Sequence, residues 1–228
     1  MTRTTNARVA GFAFLFYIAA AFPGMVLLGR AQAGKGTAEK LASIAAHASD
    51  VRLAILLVML GCFSALVLAV TLHGMTRDQD PDLAMLVLVC RAGEGILGFT
   101  SLSTIAQKLW LATATGANAP DAAATTALGG FLLNLPNWNS QVTATLFAVG
   151  SLAFSYLLLR GRMVPAVLAW LGLLASILLV VGLPLQIAGF LRGPVTLAMW
   201  YPMLAFEVPL GLWLLIKGVA PAHRRKSA

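Results

Sequence analysis

Apolar residues along this chain gather in long runs separated by short polar stretches, rather than recurring at helical spacing in an otherwise polar sequence. The runs extend over Val9 to Gly29, Leu53 to Leu72, Leu83 to Ala106, Val142 to Leu159, Val164 to Leu185 and Thr196 to Ile216. Each approaches or exceeds the roughly 20 residues that span a hydrocarbon core of about 30 Å. Backbone groups in lipid must be bonded within the segment, so these runs predict helices. Barrel strands would be shorter and alternate polar with apolar residues, which none of the runs does. The expectation is an all-α polytopic transmembrane bundle of six helices, forming a single transmembrane domain over residues 1–228.

Two connecting stretches are long enough for short surface helices, Arg30 to Arg52 and Thr113 to Gln141. In the first, Thr37 opens a run with Leu41, Ile44 and Ala45 at helical spacing, which predicts an interfacial helix with its apolar side toward lipid. The second contains Pro120-Asp121, Gly129-Gly130 and Asn134-Leu135-Pro136-Asn137-Trp138-Asn139. Pro136 between asparagines predicts a turn into the fourth spanning helix. Trp110, Trp138, Trp200 and Tyr201 are placed as an aromatic belt would be.

Composition sharpens this picture. Hydrophobic residues make up 59% of the 228 positions and charged residues 11%, against roughly 45–50% and 25% in soluble domains. Arg3 and Arg8 before the first run and Ala31-Gln32-Ala33 after it resemble a secretory signal. That run exceeds an h-region of about 7–15 residues, so a spanning helix kinked at Phe22-Pro23-Gly24 is expected instead.

The net charge of +8 lies in short pieces beside the apolar runs, where attraction to anionic lipid accounts for it without nucleic acid. With the N-terminus inside, nine Lys and Arg flank the cytoplasmic ends, among them Arg160, Arg162 and Arg224-Arg225-Lys226, and six flank the outer ends. This predicts both termini in the cytoplasm.

The chemistry to weigh lies inside the runs. A charge at mid-membrane costs roughly 2.5–3.5 kcal/mol on insertion scales, and Arg91, Glu94 and Glu207 all stand there. They are expected to face the bundle interior and pair. At about 1.5 Å per residue, Arg91 lies roughly 12 Å from the cytoplasmic surface, Glu94 roughly 17 Å and Glu207 roughly 13 Å. Arg91 and Glu207 are therefore expected to meet between the third and sixth helices. One arginine and two glutamates leave a spare carboxylate. This suits a site for a proton, a cation or a small polar ligand, or else an ionic clasp that fixes packing. Pro202 and Pro209 bracket Glu207, which points to a broken helix of the kind that builds ligand sites. Glu94-Gly95-Ile96-Leu97-Gly98 and Glu207-Val208-Pro209-Leu210-Gly211 share Glu-x-x-Leu-Gly, the mark an inverted three-helix repeat would leave.

Several short motifs carry a resemblance: Arg8-Val-Ala-Gly-Phe-Ala-Phe-Leu-Phe-Tyr-Ile18, Arg91-x-x-Glu94, Tyr156-Leu-Leu-Leu-Arg160 before Pro165, and Gly211-Leu-Trp-Leu-Leu-Ile-Lys-Gly218 after Glu207. The chain resembles, nearly end to end, the bacterial membrane-protein family called domain of unknown function 4386. The resemblance implies a six-helix protein of the bacterial inner membrane with Arg91, Glu94 and Glu207 as signature positions, and it implies no activity.

His47, His73 and His223 lie in loops, at a helix end or in the tail, so no histidine pair is placed to hold haem. Metal-ligand clusters, Walker loops and nucleophile elbows are missing from the sequence, so neither a cofactor nor an enzymatic activity is expected. Cys62 and Cys90 predict buried packing residues rather than a disulfide. Two functions remain: a carrier or sensor for a small ligand or ion using the central carboxylates, or a non-catalytic subunit packed against another membrane protein.

Overall fold

The computed structural model describes residues 2–116, 119–134 and 138–220. Its elements are helical: α1 (Arg3–Ala31), α2 (Thr37–Ala46), α3 (Ala48–Thr76), α4 (Pro81–Thr113), α5 (Ala122–Asn134), α6 (Trp138–Arg160), α7 (Ala166–Ile187), α8 (Val195–Ala198) and α9 (Tyr201–Ile216). Six stretches are long and apolar enough to cross a membrane, and they match the six expected runs, the fifth beginning at Ala166 rather than Val164 and the sixth taking in both α8 and α9. The architecture is that of a multi-pass membrane protein.

Local chemistry sets several of the ends. Asp80 caps α4 by accepting from the Leu83 N–H at 3.2 Å, with Pro81 at the first helical position. The α6–α7 turn closes through Met163 N–H to Leu158 O at 3.0 Å, and Arg162 adopts φ 48° there. Gly218 ends α9 at φ 70°, a conformation glycine adopts without strain.

The spanning helices pack in chain order. α1 lies against α3, α3 against α4, α4 against α6, α6 against α7 and α7 against α9, and α9 returns to α1. A closed ring results, in which α4 and α9 stand on opposite sides. Glycine permits the closing contact: a Cβ on Gly11 would come within 2.5 Å of the Leu215 backbone nitrogen and 2.6 Å of the Gly211 oxygen. The interior is filled by Phe14, Leu68, Val87, Phe154, Leu157, Leu179, Phe206 and Leu210. The outside is apolar too, with Leu56, Val70, Leu174 and Ile216 exposed, as a lipid-facing surface requires. Buried Ser64, Thr71, Thr76 and Ser176 bond carbonyls of their own helices.

Neighbouring helices run antiparallel, since Arg160 at the end of α6 pairs with Asp80 before α4 and Gly218 after α9 sits beside Thr4 at the start of α1. The three-helix halves therefore go round the ring in the same sense while entering from opposite sides. No rotation relates two such halves. The shared Glu-x-x-Leu-Gly does not mark an inverted repeat, and its glycines differ in role: Gly98 faces Cys62 on α3, whereas Gly211 faces Leu15 on α1.

Two further expectations change. The helix beginning at Thr37 exists, but its apolar side is buried in protein: Leu41 and Ile44 are buried as α2 packs on α4 and α5. The break in the last spanning segment falls at Met199 and Trp200, not around Glu207, and α9 runs unbroken through Pro209. Trp200 packs on Phe147 with ring centroids 5.8 Å apart, while Trp110 and Tyr201 are exposed. The Pro136 turn, His223 and Arg224-Arg225-Lys226 lie outside the described residues. Asn139, just beyond that turn, ties α6 to α4 by donating to Leu97 O at 3.0 Å.

Candidate functional site

The centre of the ring is polar. α4 carries Arg91 and Glu94 one turn apart, on the same face. Arg91 Nη1 donates to Glu94 Oε2 at 3.0 Å, and Nη2 donates to Ser151 Oγ on α6 at 3.1 Å and to Glu207 Oε1 on α9 at 3.3 Å. All three charged residues are buried, with exposures of 1%, 4% and 6% for Arg91, Glu94 and Glu207. The meeting of Arg91 with Glu207 expected from helix depth is therefore present, and Glu94 joins it on the same guanidinium.

Packing explains how these groups reach one another. A Cβ on Gly150 of α6 would lie 3.0 Å from Cys90 Cβ, so the glycine lets α6 approach α4 and brings Ser151 to the guanidinium. α1 contributes Phe14 and α6 contributes Phe147, with the guanidinium carbon 5.5 Å and 4.5 Å from their ring centroids. Such faces attract a desolvated cation. Tyr17 on α1 adds a hydroxyl close to the Glu94 carboxylate. Its ring lies near Gly61 of α3.

Arg91, Glu94 and Glu207 were legible in the sequence because each is costly in lipid. Phe14, Tyr17, Phe147 and Ser151 were not expected. A signal for Tyr17 existed, since it carries the sole side-chain hydroxyl in the run from Val9 to Gly29. Ser151 and Ser155, four apart, likewise mark a polar stripe on one face of α6.

Chemically, the site holds one guanidinium against two carboxylates. Arg91 Nε is buried without a hydrogen-bond partner among the described residues, so the donors of the cluster are not saturated; Ser155 Oγ, also buried without one, lies beside Gly172 of α7. The described residues include no group of three or more His, Cys, Asp or Glu able to hold a metal ion. Cys62 and Cys90 are free and buried.

Fold and site together define a multi-pass helical membrane protein with an ionic cluster at its centre. Residues 9–218 match the family model described as Domain of unknown function (DUF4386), and the chain belongs to that family. No curated protein and no solved structure matches the chain.

Proposed function

We propose that this protein is a carrier or sensor for a proton, a small cation or a small polar ligand, with Arg91, Glu94 and Glu207 as the binding group. The observation that carries the proposal is one guanidinium held between carboxylates from opposite sides of the ring. Arginine neutralises one glutamate. Neutrality in the membrane interior then calls for one more positive charge, which a proton or a cation supplies. Tyr17 near Glu94 and the unpartnered Arg91 Nε give a polar ligand further contacts.

We place the protein in the bacterial inner membrane with both termini cytoplasmic, on the resemblance and on the Lys and Arg balance of nine against six. Lipid is its solvent. Neither catalysis nor a cofactor is part of this reading.

A second function is favoured by the depth of the cluster. Arg91 is 1% exposed and engages both carboxylates directly, which suits an ionic clasp that fixes helix packing in a subunit of a larger membrane complex. Thermal unfolding in detergent separates the two, across pH and a panel of ions and small polar metabolites, for wild type and Glu207→Gln. A ligand that stabilises wild type and not the variant supports the carrier or sensor. No stabilisation by any of them, together with a lower midpoint for the variant, abandons it for the clasp.

A further inference from the structure

At the end of the bundle that holds the α3–α4 and α6–α7 turns, an open cleft of about 320 Å³ lies between the α6–α7 turn and the end of α9. Met163 and Val164 form a buried apolar floor, and exposed Arg162, Lys217 and Trp213 line the sides. Neither Arg162 nor Lys217 forms an ion pair among the described residues, whereas the neighbouring Arg160 is paired with Asp80 at 2.7 Å. Two uncompensated cations thus share one concave surface where two spanning segments reach the membrane boundary.

The backbone gives an independent sign. Arg162 has φ 48°, and no other non-glycine residue among those described has positive φ. Glycine would sit there without strain, and a side chain held in a strained conformation is a pointer to function.

We propose that this cleft binds the phosphate headgroup of an anionic glycerophospholipid. Arg162 and Lys217 would take the phosphate, and Trp213 would sit at headgroup level. Basic pockets between spanning helices recognise anionic headgroups in this way, and tryptophan favours that depth. The site is separate from the central ionic cluster and does not depend on its role.

The test is thermal unfolding of the full chain in neutral detergent with added phosphatidylglycerol, phosphatidylcholine or inorganic phosphate. Phosphatidylglycerol is expected to raise the wild-type midpoint by about 5 °C, and more than phosphatidylcholine does. The double variant Arg162→Gly with Lys217→Gln should lose most of that rise, while its lipid-free midpoint holds because glycine relieves the strained turn. Arg162→Lys, which keeps the charge, and Arg192→Gln, remote from the cleft, should both retain it. The proposal is overturned if the double variant responds like wild type, if phosphatidylcholine acts equally, or if Arg192→Gln abolishes the rise. A response reproduced by inorganic phosphate alone would make this a free-anion site instead.

Discussion

Arg91 Nη2 lies 3.3 Å from Glu207 Oε1 and so joins α4 to α9 across the interior of the ring. These two helices are not adjacent in the ring, so the long arginine side chain bridges elements whose backbones stay apart. The cluster is unequal in its dependence on its members. Glu207→Gln leaves Arg91 balanced by Glu94 and should cost about 1 kcal/mol, near the worth of one hydrogen bond. Arg91→Met leaves two carboxylates facing each other in the membrane interior and should cost about 3–5 kcal/mol. Reversible unfolding in mixed detergent measures both, and equal losses would contradict this charge balance.

Phe147 supplies the closer of the two rings against the guanidinium. Phe147→Leu keeps most of the buried bulk and removes the ring face, so it should destabilise by about 0.5–2 kcal/mol. Phe147→Ala also leaves a cavity and should cost about 3–5 kcal/mol. Combining Phe147→Leu with Arg91→Met isolates the pair: the ring should matter less once the cation is gone. Strictly additive losses would show that Phe147 acts through packing alone.

Much of the fold was legible because lipid leaves a long apolar run a single option, the helix. The ends were less so. The third run was expected to stop at Ala106, yet α4 continues to Thr113 because Ile105 and Leu109 pack in a second cluster with Ile44 of α2, Val51 of α3 and Leu133 of α5. A hydropathy pattern registers lipid and does not register such a protein-covered extension. The order of helices around the ring was equally invisible, since apolar runs do not name their neighbours. At the site, the charges announced themselves by their cost in lipid. Phe14 and Phe147 did not, because aromatic residues are ordinary in membrane helices.

Ring closure rests on the contact between Gly11 and Gly211. Gly11→Ala would press a methyl onto the α9 backbone at Leu215 and Gly211, so α1 and α9 must separate. The expected loss is about 1–3 kcal/mol, as for other overpacked sites. Gly29, in the same helix, has nothing within 4 Å of where its Cβ would stand. Gly29→Ala should therefore stabilise by about 0.5–1 kcal/mol through backbone entropy alone. Measured unfolding midpoints that move the same way for both variants would remove the special role of the α1–α9 contact.

Asp80 gives the fold a dependence on pH outside the spanning helices. Its carboxyl is held below the usual carboxylate value, chiefly by the Leu83 N–H that it caps and also by the Arg160 guanidinium at 2.7 Å. A depressed value means that the folded state favours the charged form. The stabilisation is therefore fully present above about pH 4, the ordinary aspartate range, and is lost as pH falls through the folded value below it. Asp80→Asn retains a side-chain acceptor for the cap and removes the charge, so wild type should unfold at a higher temperature than the variant at pH 7. The gap should close as the buffer is taken below pH 4. A gap that stays constant down to the lowest pH would mean that the carboxylate charge adds nothing, and that the cap and turn geometry hold the α3–α4 and α6–α7 turns together without it.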